Sequence, residues 1–252
     1  MAFPEVAHSF PAVTQFLNRL DGGDPWHLVL TTLIAVMAGL GPVLLWLWIW
    51  EHEDKHPEPT KLVIYAFLGG MAAVLVALPL ESIASKAFTA TPLIILVWAA
   101  IEEALKYSAA YLTTLWRAEN HEPIDGMMYM IIAALGFSAL ENTLFIITPI
   151  FHGNTSLAIA LGVNRFFGAT VIHILASGTV GFMLALGFHK PPAQQTFYTA
   201  IGLCTAILLH AGLNLSILFS IGGSAVNALY FIWFGVIALV LLFERVKRLQ
   251  TT

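Results

Sequence analysis

The 252-residue chain has very little charge and almost no cysteine, and both shortages narrow its class. One cysteine, Cys204, excludes a disulfide framework and a cysteine-based metal site, and its place inside an apolar run predicts a packing role. Charged residues make up 10% of the chain and the net charge is −4, so there is no basic patch to hold nucleic acid. The first 25 residues lack the long apolar core of a cleavable signal peptide, since Pro4, Pro11, Asp21, Asp24 and Pro25 interrupt them. Phe10, Val13, Phe16, Leu17 and Leu20 form a weak amphipathic stripe there, which suits a surface or interfacial segment over residues 1–25.

Apolar residues are what the chain does have: 58% of positions, with a mean hydropathy of +0.82, far outside the soluble range. Runs long enough to cross the hydrocarbon layer lie at Leu28–Trp50, Leu62–Leu80, Pro92–Trp116, Ile124–Ile150, Leu157–Phe188, Thr196–Ser220 and Val226–Phe243. The expected fold is therefore an all-α polytopic membrane bundle of about seven transmembrane helices, because lipid leaves no other way to satisfy the backbone. Residues 26–245 form the membrane domain and 246–252 a cytoplasmic tail. The run Leu157–Phe188 exceeds one crossing, which predicts a lead-in carrying Asn164 and Arg165. With the N-terminus outside, Lys55, Lys61, Arg117, Lys190, Arg245, Lys247 and Arg248 fall inside, against Arg19, Lys86 and Arg165 outside, and the positive-inside rule favours that orientation.

Within the third run, Glu102, Glu103 and Lys106 sit with no water-facing flank. Each ionised side chain costs roughly 2.5–3.5 kcal/mol at a bilayer centre, so three unpaired ones cost on the order of 8–10 kcal/mol. On a helix Lys106 reaches Glu102 at i,i+4 and Glu103 at i,i+3, yet one ammonium cannot neutralise both. The remaining carboxylate must bind a cation, pair with another helix or ionise reluctantly.

Three further groups lie at a similar depth. Of nine histidines only His173 and His210 fall deep inside runs, and Glu141 is equally deep in its own. Four helices thus bring ionisable groups to one layer. Ser177 and Asn214 follow the two histidines at i,i+4 and could fix which ring nitrogen is free. Gly136, Ser138, Gly178, Gly181 and Gly212 would let these helices approach closely. Carboxylates and imidazoles without thiolates suit Zn²⁺ or a similar divalent ion, and a metal with a nearby general base can hydrolyse an acyl bond; a glutamate and a histidine without metal could also activate water. The same groups could instead make a proton or ion relay in a transporter, although no internal repeat or paired broken helices support that. A second grouping, His52-Glu53-Asp54-Lys55-His56, matches H-E-x-x-H, but Pro57 and Pro59 bias it out of a continuous helix, as expected of a solvated juxtamembrane turn.

Taken in order, Glu102-Glu103-x-x-Lys106, Phe137-x-x-x-Glu141-Asn142, His173 and His210-x-x-x-Asn214 resemble the PrsW family of intramembrane proteases, within the larger group that includes the CAAX prenyl endopeptidases and bacteriocin-processing proteins. Glu58-Pro59 before Ala66-Phe67, Asp125-Gly126 and Gly136-Phe137 match as well, and the likeness runs from about Trp50 to Leu218, leaving out the first 25 residues and the last span. The resemblance implies a multi-pass protease of the bacterial cell membrane, a metalloprotease that cleaves membrane-anchored proteins such as anti-sigma factors near the outer face. By position Glu102 and Glu103 are its acidic pair, and Glu141, His173 and His210 its other polar members. Where prenyl endopeptidases carry histidine after Phe-x-x-x this chain has Glu141, and those relatives are argued to work without metal, so a metal-independent glutamate/histidine protease is the alternative. The expected roles are Glu102 or Glu103 as general base, with the other (Glu103 in the fuller assignment) joining Glu141, His173 and His210 around a divalent metal such as Zn²⁺. Lys106 holds the acidic pair, and Asn214 orients His210 or the scissile carbonyl.

Overall fold

The computed structural model describes residues 25–53, 56–219 and 225–249, and these are almost entirely helical. The proposed segment 1–25 falls outside them except for its last residue, as do Asp54, Lys55 and the end of the tail. Among the described residues, eight α-helices build seven rods: α1 (Pro25–Glu53), α2 (Thr60–Ala87), α3 (Thr91–Ala110), α4 (Pro123–Phe151), α5 (Thr155–Asn164) running on into α6 (Thr170–Gly187), α7 (Pro192–Phe219) and α8 (Ala225–Leu249). The long fifth run is a single rod in which a π-helical turn, Arg165–Ala169, joins the lead-in α5 to α6. A second π turn, Tyr111–Leu115, ends α3. α8 continues to Leu249, so the expected tail begins as helix.

By length and composition, Val29–Glu53, Thr60–Ala87, Pro123–Phe151, Thr155–Gly187 and Pro192–Phe219 can each cross a membrane. The side chains are distributed as a bilayer requires. Leu68, Leu75, Ile83, Leu112, Leu208, Phe234 and Leu241 are exposed, while Glu103, Lys106 and His210 are buried. Cys204 departs from expectation: it is exposed on α7, so it fills no core among the described residues.

α4 is the axis of the bundle, buried almost continuously from Pro123 to Ala139. Its start is fixed by a capping box, in which Asp125 accepts from the backbone N–H of Glu122 at 2.9 Å and of His121 at 2.8 Å. Asp125 is thereby a helix cap. Tyr129 on the same helix donates to Glu58, tying the α1–α2 connection to the axis. α2 crosses α4 at closest range through two glycines: a Cβ on Gly136 would meet the Phe67 carbonyl, and one on Gly70 the Ala133 carbonyl. Gly178 and Gly181 are similarly confined, by Leu239 and Met127, whereas Gly212 faces open space and serves no close approach.

Candidate active site

The buried stripe of α3 runs Ile95, Trp98, Ala99, Glu102, Glu103, Lys106, Ala110, the spacing of one helical face. The charged residues thus occupy the core-facing positions of α3. α4, α6 and α7 bring Glu141, His173 with Ser177, and His210 to the same place.

Lys106 is at the centre. Its ammonium donates to Glu103 Oε1 at 2.7 Å and to Glu102 Oε2 at 3.3 Å. It also lies 2.7 Å from His173 Nδ1 and 4.5 Å from the centroid of Phe137. An ammonium has only donors, so Nδ1 of His173 accepts, and Nε2–H donates to Glu141 Oε2 at 2.9 Å. Glu141 in turn accepts from Arg165 at 2.6 Å. Asn142 accepts from the same guanidinium and donates to Thr170 at 3.0 Å. The chain Lys106–His173–Glu141–Arg165 therefore fixes the tautomer and tilt of one histidine.

The other histidine is held by Glu103. Its Oε1 accepts from His210 Nδ1–H at 2.8 Å and from Lys106, and its Oε2 accepts from Ser177 at 2.8 Å. Both oxygens of Glu103 are engaged, and His210 Nε2 keeps its lone pair, 3.9 Å from Glu102 Oε2. His173 Nδ1 is 3.6 Å from that oxygen, and the two imidazoles meet edge to face with centroids 4.9 Å apart. Glu102, His173 and His210 each offer a donor atom within 4.8 Å of the others.

The expected residues are thus brought together, in two tiers. Glu102, His173 and His210 form the compact trio, and Glu103 and Glu141 stand behind the histidines. Ser177 and Asn214 do not partner the histidines as their spacing suggests. Ser177 reaches Glu103 instead, and Asn214, half-buried one turn beyond His210, stays outside the network among the described residues. The reason is that a carboxylate from a neighbouring helix outcompetes a neutral side chain on the same helix for an imidazole N–H. Arg165 is the member whose role sequence reasoning missed, and the overlong fifth run was its signal. In the H-E-x-x-H grouping, His52 Nδ1 lies 2.7 Å from the Trp48 carbonyl, and His56 lies past the helix end, 3.4 Å from Glu122, so the two histidines do not share one continuous helix.

Two imidazole nitrogens and one carboxylate match the donor set of a catalytic zinc centre in number and type, and Glu103 orients His210 as outer-shell carboxylates do in such centres. The fit carries one condition. The Lys106 ammonium and a metal ion cannot share the lone pair of His173 Nδ1, so metal at this trio requires Lys106 to move aside.

The family model described as "PrsW family intramembrane metalloprotease" matches residues 58–243, reaching past the stretch legible by motif and into α8. Protease PrsW of Clostridioides difficile (strain 630) is 27% identical over 179 residues, 67% of this chain and 73% of that protein. The proteins of the same name from Oceanobacillus iheyensis and Geobacillus kaustophilus are each 29% identical, over 46% and 44% of this chain and 55% and 52% of their own lengths. No solved structure gives a significant match. With a family match spanning most of the bundle and every motif residue placed on it, the chain belongs to the PrsW family of intramembrane proteases, as a multi-pass integral protein of the bacterial membrane.

Proposed function

We propose that the protein is an endopeptidase that hydrolyses peptide bonds of membrane-anchored proteins, anti-sigma factors among them, at the trio Glu102, His173 and His210. The observation that carries this reading is the approach of one carboxylate and two imidazoles from three helices to within 4.8 Å in a buried layer. Glu102 meets the reacting atoms: it is the less saturated of the acidic pair, with the 3.3 Å contact from Lys106 its one hydrogen bond among the described residues. Glu103 is a positioning residue that aims His210 Nε2 at the site, and Glu141 does the same for His173. Lys106 offsets part of the charge of the acidic pair, its three donors directed at Glu102, Glu103 and His173. By sequence Glu103 and Glu141 are expected among the metal ligands, whereas the geometry favours Glu102, His173 and His210 as the holders of a divalent ion such as Zn²⁺. Such an ion would supply Lewis acidity and a more acidic water.

A metal-independent route is the second reading, favoured by one observation: Lys106 already places a cation among Glu102, Glu103 and His173. In that route Glu102 takes the proton of water and His210 Nε2 assists. The excess of Lys and Arg at one end supports the N-terminus outside and the C-terminus inside.

A membrane-anchored reporter co-reconstituted with the purified protein tests the function. Wild type should release the reporter's soluble portion, and Glu102→Gln should lower the rate at least about 100-fold while keeping the thermal unfolding profile. Equal cleavage by Glu102→Gln overturns the assignment. Elemental analysis of wild type beside His210→Ala separates the two routes.

A further inference from the structure

The site just described leaves one buried-layer acid unused. Glu81 lies on α2, one residue past the end of the apolar run expected there, and α2 continues through it to Ala87. Its main chain is pinned: the carbonyl accepts from the Trp98 indole at 3.1 Å and from Ser85 at 2.7 Å. Its carboxyl group has no hydrogen bond or ion pair among the described residues, yet it lies close enough to Glu141 and Lys106 to interact electrostatically with both.

That carboxyl lines a narrow cleft between α2 and α4. Val74 and Leu78 form one wall and Phe137 and Leu144 the other, with Glu81 and Glu141 the polar lining. The cleft ends on the machinery. Glu141 is the hydrogen-bond partner of His173, and the Phe137 ring lies 5.4 Å from the His173 ring. The Glu141 side chain retains 19% exposure, so the cleft reaches the outer edge of the site. Arg165 is committed to Glu141 at 2.6 Å, so that carboxylate has its own counter-ion, whereas the Glu81 carboxyl has no ion-pair partner among the described residues.

We infer that this cleft receives the substrate chain and that Glu81 is a specificity-determining residue, selecting a substrate with a lysine or arginine side chain on one side of the scissile bond. The inference rests on the protease reading above. Apolar walls suit a segment emerging from lipid, and an acid without a partner at the end of such a groove favours a cationic side chain and penalises an acidic one. Glu81 acts on the position of the chain and takes no proton in the reaction.

A membrane-anchored reporter carrying Lys, Gln or Glu in turn at each position flanking the cleavage site tests it. Wild type should cleave the Lys form about 10-fold more efficiently than the Glu form at one position, with the difference in KM. Glu81→Gln should reduce that ratio to within about 3-fold, and Glu81→Lys should invert it, restoring cleavage of the Glu form. Charge-swap rescue cannot arise from misfolding, and Glu81→Gln reports even where Glu81→Lys does not fold. An unchanged Lys/Glu ratio in Glu81→Gln overturns the inference while leaving the protease reading intact. Wild type that cleaves no reporter any better than Glu102→Gln overturns the protease reading itself.

Discussion

Replacing Lys106 by methionine keeps most of the side-chain volume and removes a fully buried cation that contacts Glu103 at 2.7 Å and Glu102 at 3.3 Å. At an effective dielectric of ~20 these contacts represent attractions of about 6 and about 5 kcal/mol. Most of that attraction is offset by the desolvation of the three charges. What the substitution exposes is the asymmetry: two carboxylates stay buried with no cation between them, a loss of about 3–5 kcal/mol. For a chain of this size that lowers the unfolding temperature by about 6–20 °C. Detergent-solubilised wild type, Lys106→Met, Glu103→Gln and the double variant can be compared by tryptophan fluorescence during heating. The double variant should recover at least half of the loss, because it removes one of the stranded charges as well. A shift under about 2 °C for Lys106→Met, or strictly additive effects in the double variant, would refute the ammonium as the centre of the network.

Two other substitutions probe the scaffold around the site. Gly136→Val places a side chain against the Phe67 carbonyl and should lower stability by at least about 1–3 kcal/mol in the same melt, whereas Gly212→Ala, where nothing lies within 4 Å, should leave the melt unchanged. Arg165→Gln strands Glu141 beside His173, and reporter cleavage should fall about 10- to 100-fold, with partial recovery in Arg165→Lys; full activity in Arg165→Gln would show that Glu141 needs no counter-ion.

Much of this was legible in the sequence because bilayer physics makes intramembrane charge conspicuous. Glu102, Glu103, Lys106, Glu141, His173 and His210 stood out as costly residues at similar depth, and all six lie in one connected network. Partner choice was less legible. Spacing along a helix names which side chains could meet, but Ser177 turned to Glu103 on α3, and His210 took its partner from the same carboxylate. Such choices depend on helix rotation, which apolar runs leave undetermined. Glu81 escaped for a different reason: hydropathy ends a run at a charged residue, and α2 does not end there. Asp125, matched only as part of a motif, proved to have a local purpose as the cap of α4.

The π turn Arg165–Ala169 has a consequence for how far the rod α5–α6 tolerates change in length. Such a turn commonly holds one residue more than the α-helical register allows, and each residue of an α-helix turns the chain by about 100°. Deleting one residue here would let plain α-helix close over the gap with His173 and Ser177 still facing Lys106 and Glu103, whereas one further residue wound in as α-helix would swing them about 100° away. The exposed connection around Gly153 can take insertions, while the interval from Arg165 to His173 has slack for the loss of one residue and none for the gain of one.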